Sequence, residues 1–321
     1  MSAGQTSGPI FRDNRDLTPF GNAQLRTPVR GLADGVGGIL HTALGGRNGA
    51  LLSVDGPLPR LRRLPGKPAK TVYDAIFHNA DPNGLIAAGR AYPGWAGLCC
   101  VMAGLLAYQQ GGYLRASELL QRGLTTRNDD AANQFAADYL TRVVTRVEVA
   151  ERIEVPVLFS EEAVFLALSH SLRETGALEA ALETVVSLPP SLPAALARCA
   201  VAFSLDPHKE VVVWTEGLLN ADDLSAALLL VRARSLRRLG APASANSALK
   251  EVLRRRRTHV VLRNDAMTDR ALLVLDNGRK SLNPRDWLRG GAAEPETFQV
   301  IRRDVEERRL WEQEWKQLNR E

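Results

Sequence analysis

GLLAYQQGGYLRASELLQRGL, residues Gly104–Leu124, reads as an apolar helix, a tight break at Gly111 and a second helix with a small residue near its start. The same outline returns three times. FLALSHSLRETGALEAALETVVSL (Phe165–Leu188) breaks at Gly176, LLLVRARSLRRLGAPASANSALKEVL (Leu228–Leu253) at Gly240, and ALLVLDNGRKSLNPRDWL (Ala271–Leu288) at Gly278. A weaker unit, PAALARCAVAFSLDPHKEVVVWTEGLL (Pro193–Leu219), breaks at Asp206-Pro207. The breaks are 65, 31, 33 and 38 residues apart. The first interval is close to two units, which predicts a degenerate one between, with at least one helix in Asp130–Glu154. A single helix hairpin cannot cover its own apolar face, so neighbouring units have to stack.

Gly104, Gly111, Tyr113, Ala116 and Leu120 fall in a recurring register. Gly176, Leu178, Ala181 and Val185 follow it, as do Ala233, Gly240, Ala245 and Leu249. In the last unit Gly278, Lys280 and Trp287 keep the register, but Asn283 stands where alanine is usual. This pattern resembles the tetratricopeptide repeats over roughly residues 91–290. The resemblance implies an all-α fold, a right-handed superhelix of stacked antiparallel helix hairpins, with a generic α-solenoid as the fold alternative. It further implies about five to six hairpins over residues 91–293. Phe298–Leu318 places Phe298, Ile301, Val305, Trp311, Trp315 and Leu318 near one helical face, so residues 294–321 are expected to cap the array.

Upstream the texture differs. Residues 1–90 contain 14 of the 26 glycines and 8 of the 17 prolines, which disfavours long regular elements. They carry 11 basic and 6 acidic side chains, and the rest of the chain holds 30 of each sign. The whole excess of +5 therefore sits in this leader. Leu25–Leu44 has helical apolar spacing interrupted by Gly31, Gly35, Gly37 and Gly38, and would need a partner surface to be a stable helix. Leu58–Lys70 is basic and punctuated by proline, which reads as a linker or an anionic docking segment.

Chemistry-bearing motifs are poor matches. Cys99, Cys100 and Cys199 form no C-x-x-C and read as core residues of a protein kept in a reducing cytoplasm. The start, MSAGQTSGPIFRDNRD, has no secretory pattern, and six lysines among 41 basic residues suggest a GC-rich bacterial genome. The five histidines are scattered, Gly35–Gly38 lacks the full dinucleotide fingerprint, and no nucleophile elbow is present. No catalytic residue, metal or cofactor is assigned. The apolar run Trp95–Tyr108 is too short to span a bilayer and reads as a buried helix.

Helix starts are marked by Ser160, Asp222-Asp223 and Asn128–Asp130 as caps. In the repeat family the first helix of each unit lines a partner-binding inner face. That register puts His170 and Arg173, and Arg234, Arg237 and Arg238, on or near it, where guanidinium groups could pair with partner carboxylates. Solvated helix positions are the plainer reading. Arg254, Arg255, Arg256 and Arg257 end a helix, where cations suit the dipole, and could also contact phosphates or an acidic peptide. The expected function is therefore a cytoplasmic, non-catalytic scaffold binding a protein partner. The alternatives are an adaptor whose basic leader docks on anionic membrane or nucleic acid, and an enzyme with an unrecognised site.

Overall fold

The computed structural model describes residues 24–25, 53–54, 58–61 and 66–276. The expected Gly278 hairpin, the expected capping helix at 294–321 and most of the leader lie outside the described residues. Two compact units divide the chain between Leu205 and Asp206. The first holds strands β1 (Gln24–Leu25) and β2 (Ser53–Val54), then helices α1 (Lys67–Tyr73), α2 (Pro82–Ala91), α3 (Ala96–Gln109), α4 (Tyr113–Thr125) and α5 (Asp130–Phe135). Strands β3 (Val143–Ala150) and β4 (Ile153–Leu158) follow, and α6 (Glu161–Glu174), α7 (Leu178–Val186) and α8 (Leu192–Ser204) complete it. The second unit holds α9 (His208–Trp214), α10 (Asp223–Arg238), α11 (Pro242–Arg254) and α12 (Val260–Asp276). The described chain is mostly helical, as the sequence predicts.

The three glycine breaks within the described residues fold alike. Gly111, Gly176 and Gly240 have φ of +77°, +84° and +71°, the left-handed region that only glycine enters without steric cost. At each, the glycine N–H reaches back three residues, to the carbonyls of Tyr108, Arg173 and Arg237. The next N–H reaches back five, from Gly112, Ala177 and Ala241 to the carbonyls of Ala107, Leu172 and Leu236. This is the Schellman closure, which satisfies carbonyls the helix end would otherwise orphan. Five residues past each glycine stand Ala116, Ala181 and Ala245, all 0% exposed. A small residue is thus fully covered early in each second helix. The first helix comes close as well: a Cβ added at Gly104 would lie 2.7 Å from the Leu120 side chain, and the Ser169 hydroxyl donates to the Ala181 carbonyl at 2.9 Å.

Where the long interval predicts a degenerate helical unit, the structure has one short helix and a β-hairpin. α5 is present, capped by Asp129, whose carboxylate accepts the Ala132 N–H at 2.7 Å. It widens into a π-helical turn over Ala136–Leu140, and β3 and β4 then pair in antiparallel register from Val144↔Leu158 to Ala150↔Ile153. Val143, Thr145, Val147 and Val149 face inward from β3, and Ile153, Val155 and Val157 from β4. That alternation is the strand period, and it buries one face against α6 and α8. The leader adds β1 to β4 and β2 to β3, giving a sheet of order β1-β4-β3-β2.

Regular helix begins at Lys67, inside the leader, where short helices in an otherwise irregular segment are expected. α2 carries an Asp81 cap that accepts from the Asn83 and Gly84 N–H groups, and it packs on α3. α3 is buried all round, from Gly97 to Tyr108, as the apolar run predicts. Among the described residues no helix is long and apolar enough to cross a membrane. The predicted caps are made: Ser160 accepts from the Ala163 N–H, and Asp222 and Ser225 form a reciprocal capping box.

Candidate functional site

The predicted groove residues are carried by α6 in the first unit and α10 in the second. In the first unit His170 does not face solvent, because α6 is covered by α3, α4, α7, α8 and the β3–β4 hairpin. The Tyr108 hydroxyl lies 2.8 Å from its Nδ1 and also accepts the Glu148 N–H at 3.0 Å. One phenol oxygen thus meets both the imidazole Nδ1 and the β3 backbone. Nε2 is 3.5 Å from the Glu174 carboxylate. The Tyr113 ring stands edge-on to the imidazole at 5.2 Å between centroids. Burial pushes the Tyr108 phenol far above its ordinary value, which keeps it protonated. Arg173 is largely covered and pairs with Glu174 at 3.3 Å.

In the second unit Arg234 donates from Nε to Asp269 at 2.7 Å, and its Nη2 lies 3.5 Å from Asp265. Both acids project from α12, one turn apart, so this arginine joins α10 to α12. Asp269 is 7% exposed, and its pKa is raised because burial outweighs the neighbouring guanidinium. Arg237 is half-buried and lies close enough to favour the charged Asp269, and Arg238 is exposed at the helix end. Arg234 and His170 thus serve the interior, and Arg238 is the groove candidate most open to a partner.

The four-arginine run is a turn braced from beneath. Asn220 donates to the Glu251 carbonyl at 2.7 Å, and the Thr258 hydroxyl donates to the Val252 carbonyl at 3.3 Å, so the end of α11 is closed. Asp223 accepts from Arg255 at 3.0 Å and from the His259 N–H at 3.1 Å. Arg254 reaches Glu251 at 3.4 Å with most of its side chain exposed. Arg256 and Arg257 are exposed, with no hydrogen bond or ion pair among the described residues.

The three cysteines are buried and unbridged, as predicted. Burial pushes Cys99 and Cys199 up to about 12, which leaves neither as a nucleophile. Among the described residues no group of His, Cys, Asp and Glu is placed to hold a metal ion. No protein-family model and no curated protein matches the chain. Sequence reasoning missed Tyr108, Asp265 and Asp269. Tyr108 was part of an apolar run, and only the i, i+4 spacing of the two aspartates hints that they share a helix face.

Proposed function

We propose that this chain is a cytoplasmic, non-catalytic scaffold whose tetratricopeptide-like hairpins stack into a superhelix and hold a protein partner. The observation that carries this reading is the identity of the three glycine turns, each followed at the same distance by a fully buried alanine. Units built to one plan can add side by side and present a continuous face. Specificity on such a face comes from a few anchors and charged pairs, here Arg237 and Arg238 at the end of α10. Arg234 supports them by fixing α10 against α12.

The test is affinity capture from the native host with the full chain, quantified against Arg237→Glu and Arg238→Glu. A partner held on this face is lost or weakened about tenfold or more by charge reversal. Equal recovery by all three proteins removes the groove reading, and recovery of nothing by any of them removes the scaffold reading.

Arg256 and Arg257, exposed and without a partner among the described residues, favour a second reading, in which the chain is an adaptor docking on anionic membrane or nucleic acid through its basic leader and this patch. Salt separates the two. Phosphate-driven association weakens steeply as salt rises, and groove binding with an apolar centre does not.

A further inference from the structure

The leader attaches to the β3–β4 hairpin at one place on each edge, and side chains or a proline stand beside both places. On β3, Gln109 donates to the Arg146 carbonyl at 2.7 Å, and the Tyr108 hydroxyl accepts the Glu148 N–H at 3.0 Å. Both backbone groups therefore point away from β4. Backbone direction alternates along an antiparallel ladder, so Val144 points outward with them, and so do their cross-strand partners Glu154, Pro156 and Leu158. Pro156 has no N–H, which the hairpin does not miss on that side, and it stops any strand added along β4. The leader takes one place on each edge, Val143–Val144 on β3 and Ile153–Glu154 on β4. Ser53–Val54 pairs with the first and Gln24–Leu25 with the second.

We propose that the hairpin is the docking site of this chain's own leader, through two windows that admit a two-residue strand and stop a longer one. Each window offers about two backbone hydrogen bonds. That is too little to hold a free peptide against the translational and rotational freedom it loses on binding. A segment of the same chain avoids most of that loss, because its tether sets a high effective concentration. The windows are therefore selective for the occupant already attached to them.

Ser53–Val54 lies a few residues from Pro59, whose carbonyl accepts the Tyr73 hydroxyl at 2.6 Å. The short tether from that anchor holds β2 near its window. Seating β2 shortens the loop that β1 must close by only a few residues, so the two clips dock almost independently. The leader is thus a two-clip arm on the first unit, and the exposed Arg60 beside Pro59 is held on the body. This concerns the sheet edges and stands apart from the scaffold face on α10.

Residue-resolved amide hydrogen exchange on the full chain tests it. In the wild type the Val144 and Glu154 amides exchange more slowly than open loop amides. Ser53→Pro speeds Val144 by about tenfold or more, and Gln24→Pro does the same to Glu154. The Thr145 and Val147 amides face β4 and stay protected throughout, which shows the hairpin intact. Leu25→Gly and Val54→Gly keep every N–H and give the same pattern at smaller amplitude should proline disturb the hairpin. Wild-type amides at Val144 and Glu154 exchanging as fast as in the double proline variant overturn the docking. A synthetic peptide of residues 49–58 that restores protection to the double variant at micromolar concentration overturns the selectivity for the tethered leader.

Discussion

The Tyr108 hydroxyl bonds His170 Nδ1 at 2.8 Å while accepting the Glu148 N–H, so one phenol joins α3, α6 and β3 inside the first unit. Tyr108→Phe removes the bond from the buried His170 and from the part-buried Glu148 N–H. Each loss costs about 1–3 kcal/mol, and the variant is expected to lose about 2–4 kcal/mol by urea unfolding. The Glu148 amide is also expected to lose exchange protection selectively. A loss of stability with that amide unchanged would show that the hydroxyl does not hold the β3 edge.

Arg234 and Asp269 give a pH-dependent counterpart. The folded Asp269 binds its proton more tightly than an ordinary aspartate, so stability falls as pH rises from 3.8 into the raised range. Arg234→Ala removes the partner that moderates this and is expected to cost on the order of 2 kcal/mol at neutral pH, less near pH 4. Asp269→Asn should flatten the dependence over that window. A cost for Arg234→Ala that does not change with pH would sink the pairing as its cause.

The glycine turns make a test of equivalence between units. A Cβ added at Gly111, Gly176 or Gly240 meets nothing within 4 Å, so an alanine there suffers only from its backbone conformation. Each substitution is expected to cost about 1–2 kcal/mol, with an unchanged urea m-value. Gly111→Asn should cost less, since asparagine tolerates the left-handed region. Widely different costs at the three sites would show that the turns are not one design.

The cysteines should be silent while the protein is folded. With Cys99 and Cys199 pushed up to about 12 and Cys100 also raised, a thiol reagent at pH 8 should modify none of them until denaturant is added, when all three react. Rapid modification of Cys199 under native conditions would contradict its full burial.

What the sequence made legible follows from how local each signal is. Gly111, Gly176 and Gly240 were readable because a left-handed turn needs glycine, and the buried Ala116, Ala181 and Ala245 sit at a fixed distance from it. His170 was misplaced because a helix face read from one sequence does not show how many neighbours cover it, and α6 is packed by helices on several sides and by the β-hairpin. Asp269 was invisible as the partner of Arg234 because the two meet only through the packing of α12 on α10. The β-hairpin did leave a signal, the alternation of Val143, Thr145, Val147 and Val149. It was hidden by the expectation of another helical unit, and the polar partners on β3 at Arg146 and Glu148 were the clue to an exposed strand face.

Thr145 departs from that apolar alternation. It is 0% exposed on the inner face of β3, opposite Val157, and its hydroxyl has no hydrogen-bond partner among the described residues. A buried hydroxyl left unpaired costs about 1–3 kcal/mol. Valine has nearly the same shape and keeps the β-branched preference for a strand. Thr145→Val is therefore expected to stabilise the protein by about 1 kcal/mol, raising the urea midpoint without changing the m-value. Slower exchange of the Val147 amide should accompany the gain. Destabilisation instead would mean that the hydroxyl bonds an ordered water, and that the β3 face against α6 and α8 is wet.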